Sequence, residues 1–445
     1  MPQILEILSR HLFYPLWDLR DGSTRLQECR RLMASQWWTK AEIRELQLRR
    51  LRETVKYAFT HCEYYRKSWS TLPSIGSPVD MAQIPLLSKQ TVRDHFAELC
   101  SDEYAPQSLI MTKTGGSTGR ALELCFDGRC QEWRNAAALR SDGWAGWRPG
   151  MLVAALWGTP PVPRTIKERI RNILHDRLFF LDTMRLDGHS MGEFAKELLR
   201  RRPGGLFGHA HSLFVFARFL EEQRIKVPRM QAIIATSMML LDVERDVITR
   251  VFDCTVTNRY GCEEVGLIAC QCGKDSGLHV NAEHVYVEIL RPDGAPAVPG
   301  EEGQIVVTDL INKGMPLIRY AIEDMAIWSN RTCECGRQLP LIERIVGRVA
   351  DFLKHRNGGL VAGVSLVEKT LTAIQGLDQL QIVQTSLARF ELNIVATSNF
   401  TFSAEQELVG VLRNVFGADI DIVLNRLERI PQERNSKYRF SICQV

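Results

Sequence analysis

The sequence predicts a mixed α/β chain. A large N-terminal domain, with a helical start, a doubly wound sheet and a barrel-like subdomain, is followed by a small α+β C-terminal domain. Three observations predict this. Between residues 112 and 262, short apolar runs alternate with helical patterns, as in a parallel sheet covered by helices on both faces. From about 279 to 330 the pattern changes, with alternation at Val285, Val287 and Ile289 and a turn signal after it, as in an antiparallel or barrel-like sheet. The stretch Ile345 to Gly363 is rich in glycine and charge, and a mixed helix and strand pattern follows it.

In chain order, residues 24–100 read as mainly helical, because Leu46, Leu48, Leu51, Val55 and Ala58 recur at helical spacing among Arg and Glu. The apolar runs Leu152–Trp157, Leu178–Leu181, Ala232–Thr236 and Thr255–Tyr260 read as strands, and a further one is expected near 205. Helices are expected at 131–145, 164–175, 188–202, 211–224 and 240–252. Val285, Val287 and Ile289 alternate with polar residues, Asp293-Gly294 offers a turn, and Ile305–Thr308 and Leu317–Tyr320 are the next strands. Ile345–Gly363 reads as a linker and hinge. Beyond it come a helix (365–375), strands (380–385 and 389–397), a helix (403–415) and a strand (420–424). The domains are accordingly drawn at 1–347 and 348–445.

The chain has 445 residues, 45% hydrophobic and 24% charged, with a net charge of +4. That is enough for a sizeable core and too near neutrality for a nucleic-acid-binding stripe. The most basic stretch, Arg164 to Arg177, reads as a solvated helix face, and a face for an acidic partner is the alternative. No run approaches the roughly 18 apolar residues of a membrane helix. Met1–Arg20 is amphipathic and lacks the layout of a signal peptide, so a cytoplasmic protein without a membrane span is expected.

Five motifs carry chemistry. Thr112 to Arg120 packs three glycines and four hydroxyls into one loop, which suits phosphate binding but lacks a Walker A ending. Asn258-Arg259-Tyr260-Gly261-Cys262-Glu263-Glu264 closes an expected strand, where ligands of open α/β sheets gather. A Tyr there can stack on a base, and a carboxylate shortly after it can hold Mg²⁺. Arg319-Tyr320-Ala321-Ile322-Glu323-Asp324, Gly347-Arg348-Val349-Ala350-Asp351 and Asn435-Ser436-Lys437-Tyr438-Arg439 follow, offering groups for ribose hydroxyls and for phosphate charge. Each motif alone reads as surface charge or a turn.

Taken in this order, the motifs resemble the adenylate-forming superfamily, in its phenylacetate–coenzyme A ligase and capsule-biosynthesis branch. The resemblance runs from about Leu26 to the C-terminus and is strongest at 112–120 and 255–355, where Gly277–Glu283 and Met315–Tyr320 also fit. It implies ATP-dependent activation of a carboxylic acid, an aryl acid among the candidates, to an acyl-AMP. The acyl group would then pass to a thiol such as coenzyme A. An amine or a carrier protein is the alternative acceptor, and a non-catalytic nucleotide-binding protein is the rival of a different class. On this resemblance Thr114, Ser117, Thr118 and Gly119 wrap the ATP phosphates, and Tyr260 and Gly261 meet adenine. Glu264 holds Mg²⁺, Asp324 and Arg348 bind ribose, Lys437 is the catalytic lysine and Asp351 is the hinge. A homodimer is also in keeping with it. Three positions depart from the pattern. Glu323 stands where Gly is usual, Glu263 where Thr or Ser is common, and Arg120 where Lys is usual. The first is expected to narrow the ribose site and the second to weaken phosphate binding.

Among twelve cysteines, eight are scattered and read as reduced packing residues. Cys272, His279, Cys333 and Cys335 have the ligand types and paired spacing of a closed structural zinc site, and Cys270 rivals Cys272. Buried free thiols are the alternative. His209 and His211, after the strand near 205, and Trp157-Gly158-Thr159 stand where a pocket for the acid is expected; a core or solvent-facing histidine is the plainer reading.

Overall fold

A computed structural model describes the chain apart from residues 1, 115–121, 159–162, 185, 238–239, 241, 275–276, 347–351, 429 and 431–440. The chain forms two compact units, each assembled from three stretches. The first comprises Met1–Thr112, Glu123–Gly150 and Thr257–Gly347, and the second Lys113–Leu122, Met151–Val256 and Arg348–Val445.

In the second unit, strands Val153–Trp157, Leu178–Asp182, Gly205–His209 and Ala232–Thr236 pair in parallel. Their order across the sheet is 232–236, 205–209, 153–157, 178–182. Helices Gly188–Arg201, Ala210–Glu222 and Asp242–Phe252 connect or follow them. The first starts where the Asp187 carboxylate accepts the Ser190 backbone N–H at 2.7 Å. It buries Met191, Phe194, Ala195 and Leu198, the i, i+3, i+4, i+7 positions of one face. Gly208 must be a glycine, since a Cβ there would lie 2.8 Å from the Leu156 carbonyl oxygen of the neighbouring strand.

The C-terminal part of this unit is a four-stranded sheet in the order Asp421–Arg426, Arg389–Ala396, Leu377–Ser386, Ser441–Cys443. Helix Phe402–Phe416 buries Ala404, Leu408, Leu412 and Phe416 against it. Two expectations change here. The strand Ser441–Cys443, too short to show periodicity, pairs in parallel with 382–384. The expected linker 345–363 carries a hairpin, Phe352–Lys354 with Leu360–Ala362, closed by a turn with Gly358 at φ 84°.

In the first unit, helices Arg25–Ser35, Lys40–His61 and Gly128–Trp144 accompany an antiparallel sheet. Thr39 and Glu42 form a capping box at the start of the second helix. The sheet order is 285–290, 302–309, 320–328, 341–346, 278–280, 266–271, 256–262. The expected strand Leu317–Tyr320 is displaced: the strand is Tyr320–Trp328. Arg319 has φ 51°, which breaks the extended conformation just before it. Leu317 and Ile318 are fully buried, so their apolarity marks core. Among the described residues, no helix is long and apolar enough to cross a membrane.

Candidate active site

The motif residues of the first unit meet at strand ends. Strands Val256–Cys262 and Gly266–Gln271 form a hairpin whose register slips between Tyr260 and Gly261. A Cβ on Gly261 would lie 2.5 Å from the Gly266 carbonyl oxygen, so only glycine fits. The turn that follows exposes Glu263 and buries Glu264. Tyr320 donates its hydroxyl to Glu264 Oε1 at 2.9 Å, and Tyr260 donates to Asp324 Oδ2 at 2.9 Å. Burial, with Glu264's charge next, pushes the Tyr320 phenol well above its ordinary pKa, so it stays protonated and donates. Arg134, on helix Gly128–Trp144, fixes the turn by donating to the Glu263 carbonyl at 3.1 Å and the Glu264 carbonyl at 2.7 Å.

Asp324 is aimed by a bulge. Val306 faces Ala321 and Gln304 faces Met325, so the single residue Ile305 opposes Ile322, Glu323 and Asp324. Within the bulge Glu323 has φ 72°, a conformation that favours glycine. That accounts for the residue type usual there in the resembled family. The left-handed Glu323 is held by an ion pair with the buried Lys89 ammonium at 3.0 Å. Arg319 is held in the same way, with Nε and Nη2 each 3.1 Å from a Glu288 carboxylate oxygen.

Of the remaining expected residues, Thr114 ends the strand Ile110–Thr114. Ser117, Thr118, Gly119, Arg120, Arg348, Asp351 and Lys437 lie outside the described residues. In the second unit, Trp157 ends one strand and His209 the next, their ring centroids 4.4 Å apart, with Gly158 following Trp157. Phe207 stacks on Trp157 at 5.5 Å. Burial lowers the His209 pKa to about 4, so its imidazole is neutral at pH 7. His211 lies in the helix Ala210–Glu222. Sequence reading passed over Lys89, Arg134 and the Tyr320 hydroxyl. Only Tyr320 carried a signal, its place in a motif.

Cys272, His279, Cys333 and Cys335 converge, with one ligand atom from each within 4.8 Å of the others. Cys272 Sγ is 3.5 Å from Cys333 Sγ, and Cys335 Sγ is 3.3 Å from His279 Nε2. Gly336, at φ 83°, lets the chain turn after Cys335, and its N–H donates to the Cys333 carbonyl at 3.2 Å. Cys270, though the cross-strand partner of His279, is not among the converging ligands; burial pushes its thiol up to about 12. Gln271 is the last strand residue, so Cys272 escapes the alternation that fixes Cys270.

Comparison with known proteins bears on both units. Residues 353–444 match the family described as the CapK C-terminal domain. Protein CapK of Staphylococcus aureus is 24% identical over 429 residues, covering 95% of this chain and 91% of its own. The phenylacetate–coenzyme A ligase of Thermus thermophilus is 23% identical over 406 residues, covering 83% and 84%. The structure of 2-hydroxyisobutyryl-CoA ligase in complex with 2-HIB-AMP and CoA superposes with a TM-score of 0.61, at 18% identity and 92% coverage of both chains. The fold is that of the adenylate-forming ligases. The resemblance read from the motifs is therefore matched along almost the whole chain by CapK and by phenylacetate–coenzyme A ligases.

Two outcomes follow from this adenylate-forming fold and its local geometry. Replacing Glu323 removes the same ion pair whether the new residue is Gly or Ala, but only Gly adopts the positive φ without strain. Urea denaturation is expected to show Glu323→Gly more stable than Glu323→Ala by about 1 kcal/mol. For His209, the folded pKa lies below the unfolded one, so the unfolded chain binds more protons as pH falls from 6.5 towards 4. Stability therefore declines through that window and is unaffected above it. The contribution is roughly 2 kcal/mol at pH 5. His209→Gln should shrink the difference in urea midpoint between pH 7 and pH 5, leaving the part due to His284, whose pKa burial also lowers.

Proposed function

We propose that this protein is an ATP-dependent ligase that activates a carboxylic acid as an acyl-adenylate and transfers the acyl group to a thiol, coenzyme A being the acceptor. The observation that carries the reading is the pair of phenol–carboxylate contacts, Tyr320–Glu264 and Tyr260–Asp324, at the strand ends where the motifs meet. The similarity to acid–coenzyme A ligases over most of the chain supports it.

In the first step a carboxylate oxygen of the acid attacks the α-phosphorus of ATP, and the bond to the departing pyrophosphate breaks. In the second a thiol sulfur attacks the acyl carbon and AMP leaves. Thr114, Ser117, Thr118 and Gly119 contact the phosphates. Tyr260, with Gly261 leaving room beside it, stacks on adenine, and Asp324 and Arg348 take the ribose hydroxyls. Lys437 neutralises charge that develops between the acid and the α-phosphate. Trp157, Gly158 and neutral His209 line the pocket for the acid. The segment 348–445 acts as a C-terminal domain that turns about Asp351 between the half-reactions.

Glu264 fits a Mg²⁺ ligand. It is 8% exposed, and the groups that contact its carboxylate, Tyr320 and Cys262, are uncharged donors. Bound there, the ion would supply positive charge to the phosphates. Of the three departures from the family pattern, two are compatible with catalysis: Glu323 is engaged by Lys89, and the Glu263 side chain is exposed; Arg120 lies outside the described residues. The Cys272, His279, Cys333 and Cys335 set fits a closed zinc site with a structural role, since three sulfurs and one imidazole leave no open position.

Exchange of labelled pyrophosphate into ATP, measured with aryl, aliphatic and amino acids, should appear with one class of acid. Lys437→Ala should lower it by about 10²–10³-fold. Absence of exchange with every acid, from folded protein that binds ATP, would favour the non-catalytic reading. Elemental analysis of purified protein should find one zinc per chain. Cys272→Ser should reduce that content and lower the melting temperature, whereas Cys270→Ser should leave the zinc in place.

A further inference from the structure

A cavity of about 780 Å³ opens in the first unit, within the size range of small-molecule sites. Helix Lys40–His61, the segment around Val79 and Ala82, strand Val285–Leu290 and residues 337–341 supply its walls. Tyr260, Glu264, Tyr320 and Asp324 are not among its lining residues. It is thus distinct from the phenol–carboxylate site, and it borders the cysteine cluster at His279 and Cys333 and the Arg319–Glu288 ion pair.

The walls are largely apolar. Ile43, Val287, Ile289 and Leu339 are buried around it, and Val79 stands 76% exposed at its lip. The charges in the lining are unevenly divided. Its single carboxylate, Glu288, is taken up by Arg319, which also donates to the Ile84 carbonyl at 2.6 Å. The remaining charged groups are Lys40, Arg44, Arg331 and Arg337. Arg337 lies over the Trp37 and Trp144 rings and donates to Gln36 Oε1 at 2.9 Å. Lys40, Arg44 and Arg331 are exposed and have no carboxylate partner among the described residues.

We propose that this cavity binds an amphiphilic anion, whose apolar chain or ring fills the space between Ile43, Val287 and Leu339 and whose anionic head meets Lys40, Arg44 and Arg331. An apolar ligand with no charge would leave three cations unanswered at the rim, and a small inorganic anion would leave the apolar walls wet. The ligand is separate from the acid that is adenylated, and the inference stands whether or not adenylation occurs.

Titration calorimetry below the micellar concentration tests it, with dodecyl phosphate as the anionic probe and dodecanol as its neutral counterpart. The phosphate should bind with one site per chain and at least about fivefold more tightly than the alcohol, a preference that salt erodes. Lys40→Glu/Arg44→Glu, both at exposed positions, should weaken the phosphate by roughly tenfold and leave dodecanol within about twofold. Pyrophosphate exchange should be unchanged in that variant. Ala82→Trp should fill the cavity and abolish binding of both probes while circular dichroism remains native. Equal affinity of the two probes would overturn the anionic-head assignment. Absence of saturable phosphate binding to the unaltered protein, or undiminished binding to both variants, would overturn the site.

Discussion

The first unit depends on one guanidinium with no solvent exposure. Arg140 pairs with Glu283 through Nη1–Oε1 at 2.6 Å and Nη2–Oε2 at 3.0 Å. It also donates to Asn281 Oδ1 at 2.6 Å and to the Leu32 carbonyl at 3.2 Å. Ser35 donates to the same carboxylate at 2.5 Å. Helix Arg25–Ser35, helix Gly128–Trp144 and the segment 281–283 are thereby locked to one another. Burial alone would raise the Glu283 pKa. The charge and hydrogen bonds of Arg140, with Ser35, outweigh it and hold the carboxyl below its ordinary value. A pair so buried costs several kcal/mol to break from one side, since the remaining charge is left without its counter-ion. The lock reaches the site through its neighbours. Asn281 donates to the Leu267 carbonyl at 3.1 Å, and a His284 ring nitrogen contacts the Val265 carbonyl at 2.8 Å. The hairpin that presents Tyr260 and Glu264 is therefore anchored from below, as is the strand that carries His279.

On this fixed base the chain tolerates strain just before and within strand Tyr320–Trp328. Arg319 and Glu323, four positions apart, both have positive φ without being glycine. Each is held by an ion pair to another element: Arg319 by Glu288 on strand Val285–Leu290 of the same sheet, Glu323 by Lys89 on a helix. The result of the distortion is local and specific. Tyr320 is left fully buried with its hydroxyl on Glu264, and the bulge turns Asp324 to Tyr260.

The sequence was legible wherever one physical signal decided the outcome. Alternation or apolar runs located the parallel strands of the second unit, because burial on both faces leaves little else such runs can be. Leu317 and Ile318 misled the reading because apolarity reports burial and not backbone angle, and the chain turns left-handed at the next residue. Ser441–Cys443 is strand through its partner, residues 382–384, and three residues contain no period to detect. Glycine at 261 could be read as permissive, but that its Cβ would strike the Gly266 carbonyl required coordinates. The ligand types of the cysteine cluster were legible, while the choice between Cys270 and Cys272 depended on where the strand stops. Lys89, Arg134 and Arg140 were invisible for a common reason. A basic residue in a helical pattern reads as solvated face, and nothing local reveals that a carboxylate or carbonyl from more than a hundred residues away will meet it.

Two buried glutamates in the same unit show how environment divides structural from functional charge. Glu283 has its charge answered inside the chain by a bidentate guanidinium, so it has no further demand and acts as a tie. Glu264 is almost as secluded, yet its contacts are a phenol and a thiol, and the guanidinium nearest in sequence effect, Arg134, is spent on its backbone carbonyl. A carboxylate surrounded by neutral donors is oriented without being neutralised. It retains the negative charge and the directional lone pairs that a hard cation requires. Asp324 is likewise met by a phenol, that of Tyr260. A cation bound at Glu264, as proposed, would therefore meet a charge that the frame has left unanswered.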